Sequence, residues 1–108
     1  MTDHLLHYGK ASPFARKVRI AIREKGLLNR VEEKLTNWRD NDPDFIAANP
    51  LGKVPTLERP DAPPLFESDV ICDYVDSIGS GPSLYPRDPG PRIAAQRWQA
   101  LADGIHDA

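Results

Sequence analysis

The apolar positions of this chain recur with two different periods, and the changes of period mark out its elements. Leu5 and Leu6 lie in a short run from His4 to Tyr8, closed by Gly9, which predicts a first strand. From Ser12-Pro13 the spacing becomes helical: Phe14, Val18, Ala21 and Ile22 form a buried stripe, with Arg16, Lys17, Arg19, Arg23 and Glu24 on the wet side. Serine is a favoured helix cap. Proline suits the first helical position because its missing N–H would have had no helical partner. Gly26, after Lys25, ends the helix.

Val31 to Thr36 alternates and predicts a second strand, and Asp42 caps a short helix from Pro43 to Ala48 anchored by Phe45 and Ile46. A third strand runs from about Val54 to Glu58. The segment Arg59 to Pro64, with three prolines, turns the chain into a fourth strand, Leu65-Phe66-Glu67, antiparallel to the third. Ser68 then caps a helix whose Val70, Ile71, Tyr74, Val75 and Ile78 share an apolar face. Gly79 to Pro91 holds three glycines and four prolines and reads as a linker. A last helix starts near Pro91, with Ala94, Trp98, Leu101 and Ile105 on one stripe and no partner for it in the preceding elements.

The stretch Asn49-Pro50-Leu51-Gly52-Lys53-Val54-Pro55-Thr56-Leu57 organises the rest. Pro55 lacks an N–H and fits poorly inside a sheet, although strand formers flank it. A cis Val54–Pro55 bond resolves the conflict, since cis costs only about 0.5–1 kcal/mol before proline. It would leave the Val54 backbone free to hydrogen-bond an extended peptide-like ligand. An ordinary proline-rich loop is the other reading of these residues.

Composition narrows the function. The chain has 108 residues, 40% hydrophobic and 28% charged, with a net charge of −2. Acidic groups outnumber basic ones, and the cluster Arg16, Lys17, Arg19, Arg23, Lys25 lacks interleaved aromatics, so it reads as a solvated face and not a nucleic-acid stripe. No apolar run approaches the roughly 20 residues of a membrane span, and the first residues lack a signal-peptide pattern. The expectation is a cytoplasmic protein without membrane or nucleic-acid partners. Cys72 is the lone cysteine, expected to be a small buried thiol, and His4, His7 and His106 are too dispersed to suggest a metal.

The order strand, helix, strand, helix, strand, strand, helix, with a cis-proline opening the third strand, is the thioredoxin-like α/β arrangement: a βαβαββα domain on a mixed four-stranded sheet. Three segments carry a more specific resemblance: Ser12-Pro13-Phe14-Ala15-Arg16-Lys17-Val18-Arg19, Asn49 to Leu57, and Glu67-Ser68-Asp69-Val70-Ile71. Together with Leu84-Tyr85-Pro86-Arg87-Asp88 before the last helix, they resemble the glutathione S-transferase family. That resemblance implies a glutathione-binding domain over 1–79, a linker over 80–91, and over 92–108 the first helix of an all-helical C-terminal domain whose remainder is absent. It also implies glutathione as co-substrate, a small electrophile, no metal, and a homodimer in the full-length protein.

The resemblance places the catalytic residue at Ser12 and glutathione contacts at Ser12, Phe14, Lys53, Val54, Pro55, Glu67 and Ser68. A free thiol has a pKa of about 8.5, and lowering it two units takes roughly 2.7 kcal/mol. A hydroxyl bonded to the anion supplies about 1.5–3 kcal/mol and a helix N-terminus about 0.3–1 more. Ser12 could supply both, or be only a helix cap; Tyr8, at the end of the first strand, is its rival. Glu67 suits the ligand's ammonium and Ser68 its carboxylate, unless the pair is merely a strand end and a cap. Lys53 could meet the glycyl carboxylate, with Trp38 or Arg39 closing over it, or be a solvated charge beside a core aromatic. Ser12-Pro13-Phe14-Ala15 carries neither redox cysteine of the glutaredoxin-like relatives, which disfavours disulfide exchange and a stand-alone redox protein. A non-catalytic binding or scaffold module is the remaining alternative.

Overall fold

The computed structural model describes residues 2–37 and 42–107. Their order is β1 (His4–Tyr8), α1 (Pro13–Glu24), β2 (Val31–Leu35), α2 (Pro43–Ala48), β3 (Thr56–Glu58), β4 (Leu65–Phe66), α3 (Ser68–Ile78) and α4 (Pro89–Asp107). The four strands form one mixed sheet in the order β2-β1-β3-β4, with β1 parallel to β2 and antiparallel to β3, and β3 antiparallel to β4. This is the expected thioredoxin-like α/β architecture.

Alternation along β1 sorts its side chains to two faces. Leu6, paired with Leu57, faces α1 and α3 and enters a core with Val18, Ile22, Leu27, Val31, Ile71, Cys72 and Val75. Each such side chain contributes about 1.5–3 kcal/mol by leaving water. His7 takes the opposite face, where its ring lies 5.3 Å from Phe45 of α2. α1 begins where Ser12 accepts the Ala15 N–H at 3.1 Å, and it closes with the Leu27 N–H on the Ile22 carbonyl. That closure puts Gly26 at φ +68°, a conformation glycine adopts without a Cβ penalty.

Several boundaries differ from expectation for identifiable reasons. β3 starts at Thr56 and not at Val54, since Pro55 has no N–H to offer a ladder. Ser68 is not the cap of α3: Glu67 holds the cap position at φ +76°, and Ser68 is the first helical residue. Ile46 and Val70 point largely to solvent, leaving Phe45 to anchor α2 and bringing Cys72 into the buried face of α3. α4 begins at Pro89, before the expected start after Pro91, because proline and glycine are tolerated in a first turn.

The expected linker is tied down. Buried Lys25 gives its ammonium to Asp76 at 3.0 Å and to the Pro82 carbonyl at 3.0 Å, while Asp76 accepts from the Leu84 N–H and the Ser83 hydroxyl. α4 is not unpartnered either. Arg92 pairs with Asp73, the Tyr85 hydroxyl donates to Gln99, and Lys17 bridges Asp69 and Asp103. Only its apolar stripe is bare, with Trp98 64%, Leu101 51% and Ile105 66% exposed.

Candidate functional site

The loop between α2 and β3 is held from inside by one amide. Asn49 is 1% exposed. Its Nδ2 donates to the Lys53 carbonyl and to Thr56 Oγ1, both at 3.1 Å, and its Oδ1 accepts the Leu51 N–H at 2.9 Å. Thr56 adds a 2.7 Å bond from its hydroxyl to the same Lys53 carbonyl, and Gly52 turns the chain at φ +64°. The loop therefore presents Lys53, Val54 and Pro55 in one conformation, and the Val54–Pro55 bond is cis, as expected. Ladder pairing of β3 begins at Thr56, so the Val54 backbone stands outside it.

Two adjoining hollows meet at Val54. One, of about 220 Å³, is lined by Phe14, Lys53, Val54, Pro55, Glu67 and Ser68, together with Asn49, Leu51, Phe66 and Asp103. The other, of about 490 Å³, is lined by Gly9, Lys10, Ala11, Ser12, Leu35, Thr36 and Asn37 as well as Val54. Together they fall within the roughly 300–1,000 Å³ of small-molecule sites. Gly9 is needed where the two approach: a Cβ there would stand 3.0 Å from Val54 Cγ2.

Six of the seven expected ligand contacts thus line the first hollow, and Ser12 lines the second. Ser12 Oγ already accepts a backbone N–H, which leaves its own proton free to be donated. Phe14 is half-buried and meets the His106 ring edge-on at 6.2 Å. Ser68 is 2% exposed, and its hydroxyl has no hydrogen-bond partner among the described residues. A buried hydroxyl left so costs about 1–3 kcal/mol, which a ligand oxygen would return. Beside it Glu67 is the lone non-glycine residue at positive φ among those described, a strain of about 1–3 kcal/mol of the kind that concentrates at binding sites. The first turn of α3 has no side-chain cap, so its N–H groups are open to an anion.

Tyr8 lies apart from both hollows, half-buried under the Arg19 guanidinium at 4.2 Å. Cys72 is buried, and burial pushes its thiol up to about 11, far from thiolate chemistry. Trp38 and Arg39, expected to close over the ligand, lie outside the described residues.

Residues 11–78 match the family model described as the glutathione S-transferase N-terminal domain. The chain belongs to the glutathione S-transferase family. It is 38% identical over 97 residues to the GST-like protein YibF of Escherichia coli (strain K12), covering 90% of this chain and 47% of that one. A glutathione S-transferase structure from Methylobacillus flagellatus with glutathione bound superposes with a TM-score of 0.86 at 40% identity, over 96% of this chain and 50% of its own. A family member from Pseudomonas fluorescens Pf-5, also with bound glutathione, gives 0.84 at 39%, over 96% and 52%. The chain therefore spans about half the length of the relatives it matches.

Three residues at the site were not singled out from sequence. Asn49 and Thr56 set the loop from inside, and the available signal was a polar side chain between apolar neighbours, Thr56 between Pro55 and Leu57. Asp103 arrives from α4, and no local motif connects it to Glu67.

Proposed function

We propose that this chain is the glutathione-binding part of a glutathione transferase, with Ser12 as the residue that holds the glutathione sulfur as thiolate. The supporting observation is the placement of Val54 where the two hollows meet, with the unpartnered Ser68 hydroxyl in one and the Ser12 hydroxyl in the other. The γ-glutamyl end lies at Glu67 and Ser68, the cysteinyl unit pairs with the Val54 backbone, and Phe14 and Pro55 wall the groove. Lys53 meets the glycyl carboxylate. Relatives with glutathione bound support this assignment.

Ser12 keeps its proton and donates a hydrogen bond to sulfur, while the thiol proton passes to water. The thiolate then attacks the electrophilic carbon of a small substrate, forming the carbon–sulfur bond as that carbon's bond to a leaving group breaks and the group departs with the bonding electron pair. A hydrogen bond to the anion contributes about 1.5–3 kcal/mol, and the first turn of α1 adds about 0.3–1 kcal/mol. Together these cover the roughly 2.7 kcal/mol that two pKa units require. In this reading residues 1–79 form the glutathione domain and α4 opens the helical domain that completes the electrophile pocket in an intact cytoplasmic homodimer.

Titration calorimetry of the intact protein with glutathione tests the reading. Saturable one-to-one binding, reduced by Glu67→Gln, is the expected result. Absence of binding would overturn it and favour a scaffold module.

A further inference from the structure

The two hollows that meet at Val54 differ in charge. The first is lined by the carboxylates of Glu67 and Asp103 as well as by the Lys53 ammonium. The second, which holds the Ser12 hydroxyl, has no acidic residue in its lining and carries the cation Lys10. Lys10 is exposed, and among the described residues no carboxylate pairs with it. α1 starts at the same hollow, and its first turn carries no acid. The partial positive charge of the helix N-terminus therefore adds to that of Lys10.

The reacting sulfur fills little of this hollow, whose volume is about 490 Å³. Leu35, 57% exposed, gives it an apolar wall together with Ala11 and Val54. A small carbon skeleton joined to the sulfur would cover that wall, and its far end would meet Lys10. A neutral end gains nothing from the ammonium and a cationic end is repelled, whereas a carboxylate is attracted. The carboxylates of glutathione itself are assigned to Ser68 and Lys53 in the first hollow. That assignment leaves Lys10 for the second substrate.

We infer that Lys10 selects the second substrate by charge, so that the electrophile this chain favours is an anion, a small apolar skeleton carrying a carboxylate. This rests on the glutathione reading above and deepens it by naming the class of electrophile. With para-(chloromethyl)benzoate as an example, the thiolate held by Ser12 attacks the benzylic carbon. The carbon–sulfur bond forms as the carbon–chlorine bond breaks, and chloride departs with the bonding pair. The substrate carboxylate is unchanged throughout and stays at Lys10, which touches no reacting atom and sets specificity alone.

The test measures, by calorimetry on the intact protein, the binding of two conjugates of the same shape: S-(para-carboxybenzyl)glutathione, anionic at its far end, and S-(para-carbamoylbenzyl)glutathione, neutral there. Lys10→Gln should weaken the carboxylate conjugate about fivefold, the upper end for an exposed ion pair, and leave the amide conjugate and free glutathione within about twofold. Lys10→Glu sets repulsion in place of attraction and should weaken the carboxylate conjugate about 25-fold. In the wild type the preference for the carboxylate conjugate should shrink at about 1 M salt, where the screening length falls to about 3 Å. Turnover should follow binding, with Lys10→Gln lowering kcat/KM for para-(chloromethyl)benzoate and not for para-(chloromethyl)benzamide. Equal weakening of both conjugates would mean that Lys10 acts on the peptide or on the fold, and an unchanged carboxylate conjugate would mean that it does not reach the second substrate; either overturns the inference. A wild-type protein that binds no glutathione overturns the glutathione reading itself, and this inference with it.

Discussion

Asn49→Ala removes the amide that holds the 49–56 loop, and the structure sets the size of the effect. Two of its bonds, to the Lys53 carbonyl and to Thr56 Oγ1, are internal; the third, from the Leu51 N–H, lies at an exposed residue where water can substitute. At about 1 kcal/mol for each internal bond, plus the space left by a fully buried side chain, the loss comes to about 2–3 kcal/mol. For a domain of this size that is a fall in Tm of roughly 10 °C. Denaturant unfolding monitored by tryptophan fluorescence, together with calorimetry against glutathione, reads both consequences. Affinity should fall with stability, because the same amide sets the conformation of Val54. Asn49→Asp separates donor from bulk. It retains the acceptor for Leu51 but turns an oxygen toward two oxygens, so it should destabilise at least as much at neutral pH. A loss below about 1 kcal/mol, or full destabilisation with unchanged glutathione affinity, would refute the claim that this amide positions the site.

Other consequences are as direct. Asp76→Asn leaves the Lys25 ammonium, 3% exposed, with carbonyl oxygens alone, and should cost about 3 kcal/mol in denaturant unfolding. Burial would raise the Asp76 carboxyl, but the Leu84 N–H, Lys25 and Ser83 outweigh it and hold it below the ordinary carboxylate range. Its contribution is therefore complete above that range and lost as pH falls through the lowered folded value, so wild-type stability should drop in acid more steeply than that of Asp76→Asn. Glu67→Gly relieves the positive φ and should raise stability by about 1 kcal/mol while weakening glutathione, whereas Glu67→Gln should weaken glutathione without stabilising. Gly79→Ala would place a Cβ 2.5 Å from Lys25 Cβ and 2.9 Å from the Lys25 carbonyl, and should destabilise by about 1–3 kcal/mol in a thermal melt.

Much of this architecture is legible where a local rule and the tertiary structure agree. The bounds of β1, the Ser12-Pro13 start of α1, the Gly26 stop and the cis Val54–Pro55 bond all follow from short-range stereochemistry. The errors arise where tertiary packing decides. Ser68 resembles a cap in sequence, but the chain enters α3 through a strained Glu67, which makes the serine the first helical residue, buried and with its hydroxyl unpartnered among the described residues. Lys25 resembles a solvated helix end and is in fact the buried cation that fastens the linker. Asp103 is separated from Glu67 by the whole of α3 and the linker, so only the docking of α4 reveals their proximity.

The central claim is that Ser12 lowers the pKa of the glutathione thiol, and ultraviolet titration of the thiolate bound to the intact protein measures it directly. The account predicts that the bound thiol titrates about two units below the free value of about 8.5 in wild type, and that Ser12→Ala returns it by at least one unit while Tyr8→Phe leaves it in place. An unchanged titration in Ser12→Ala, with glutathione still bound, would contradict it.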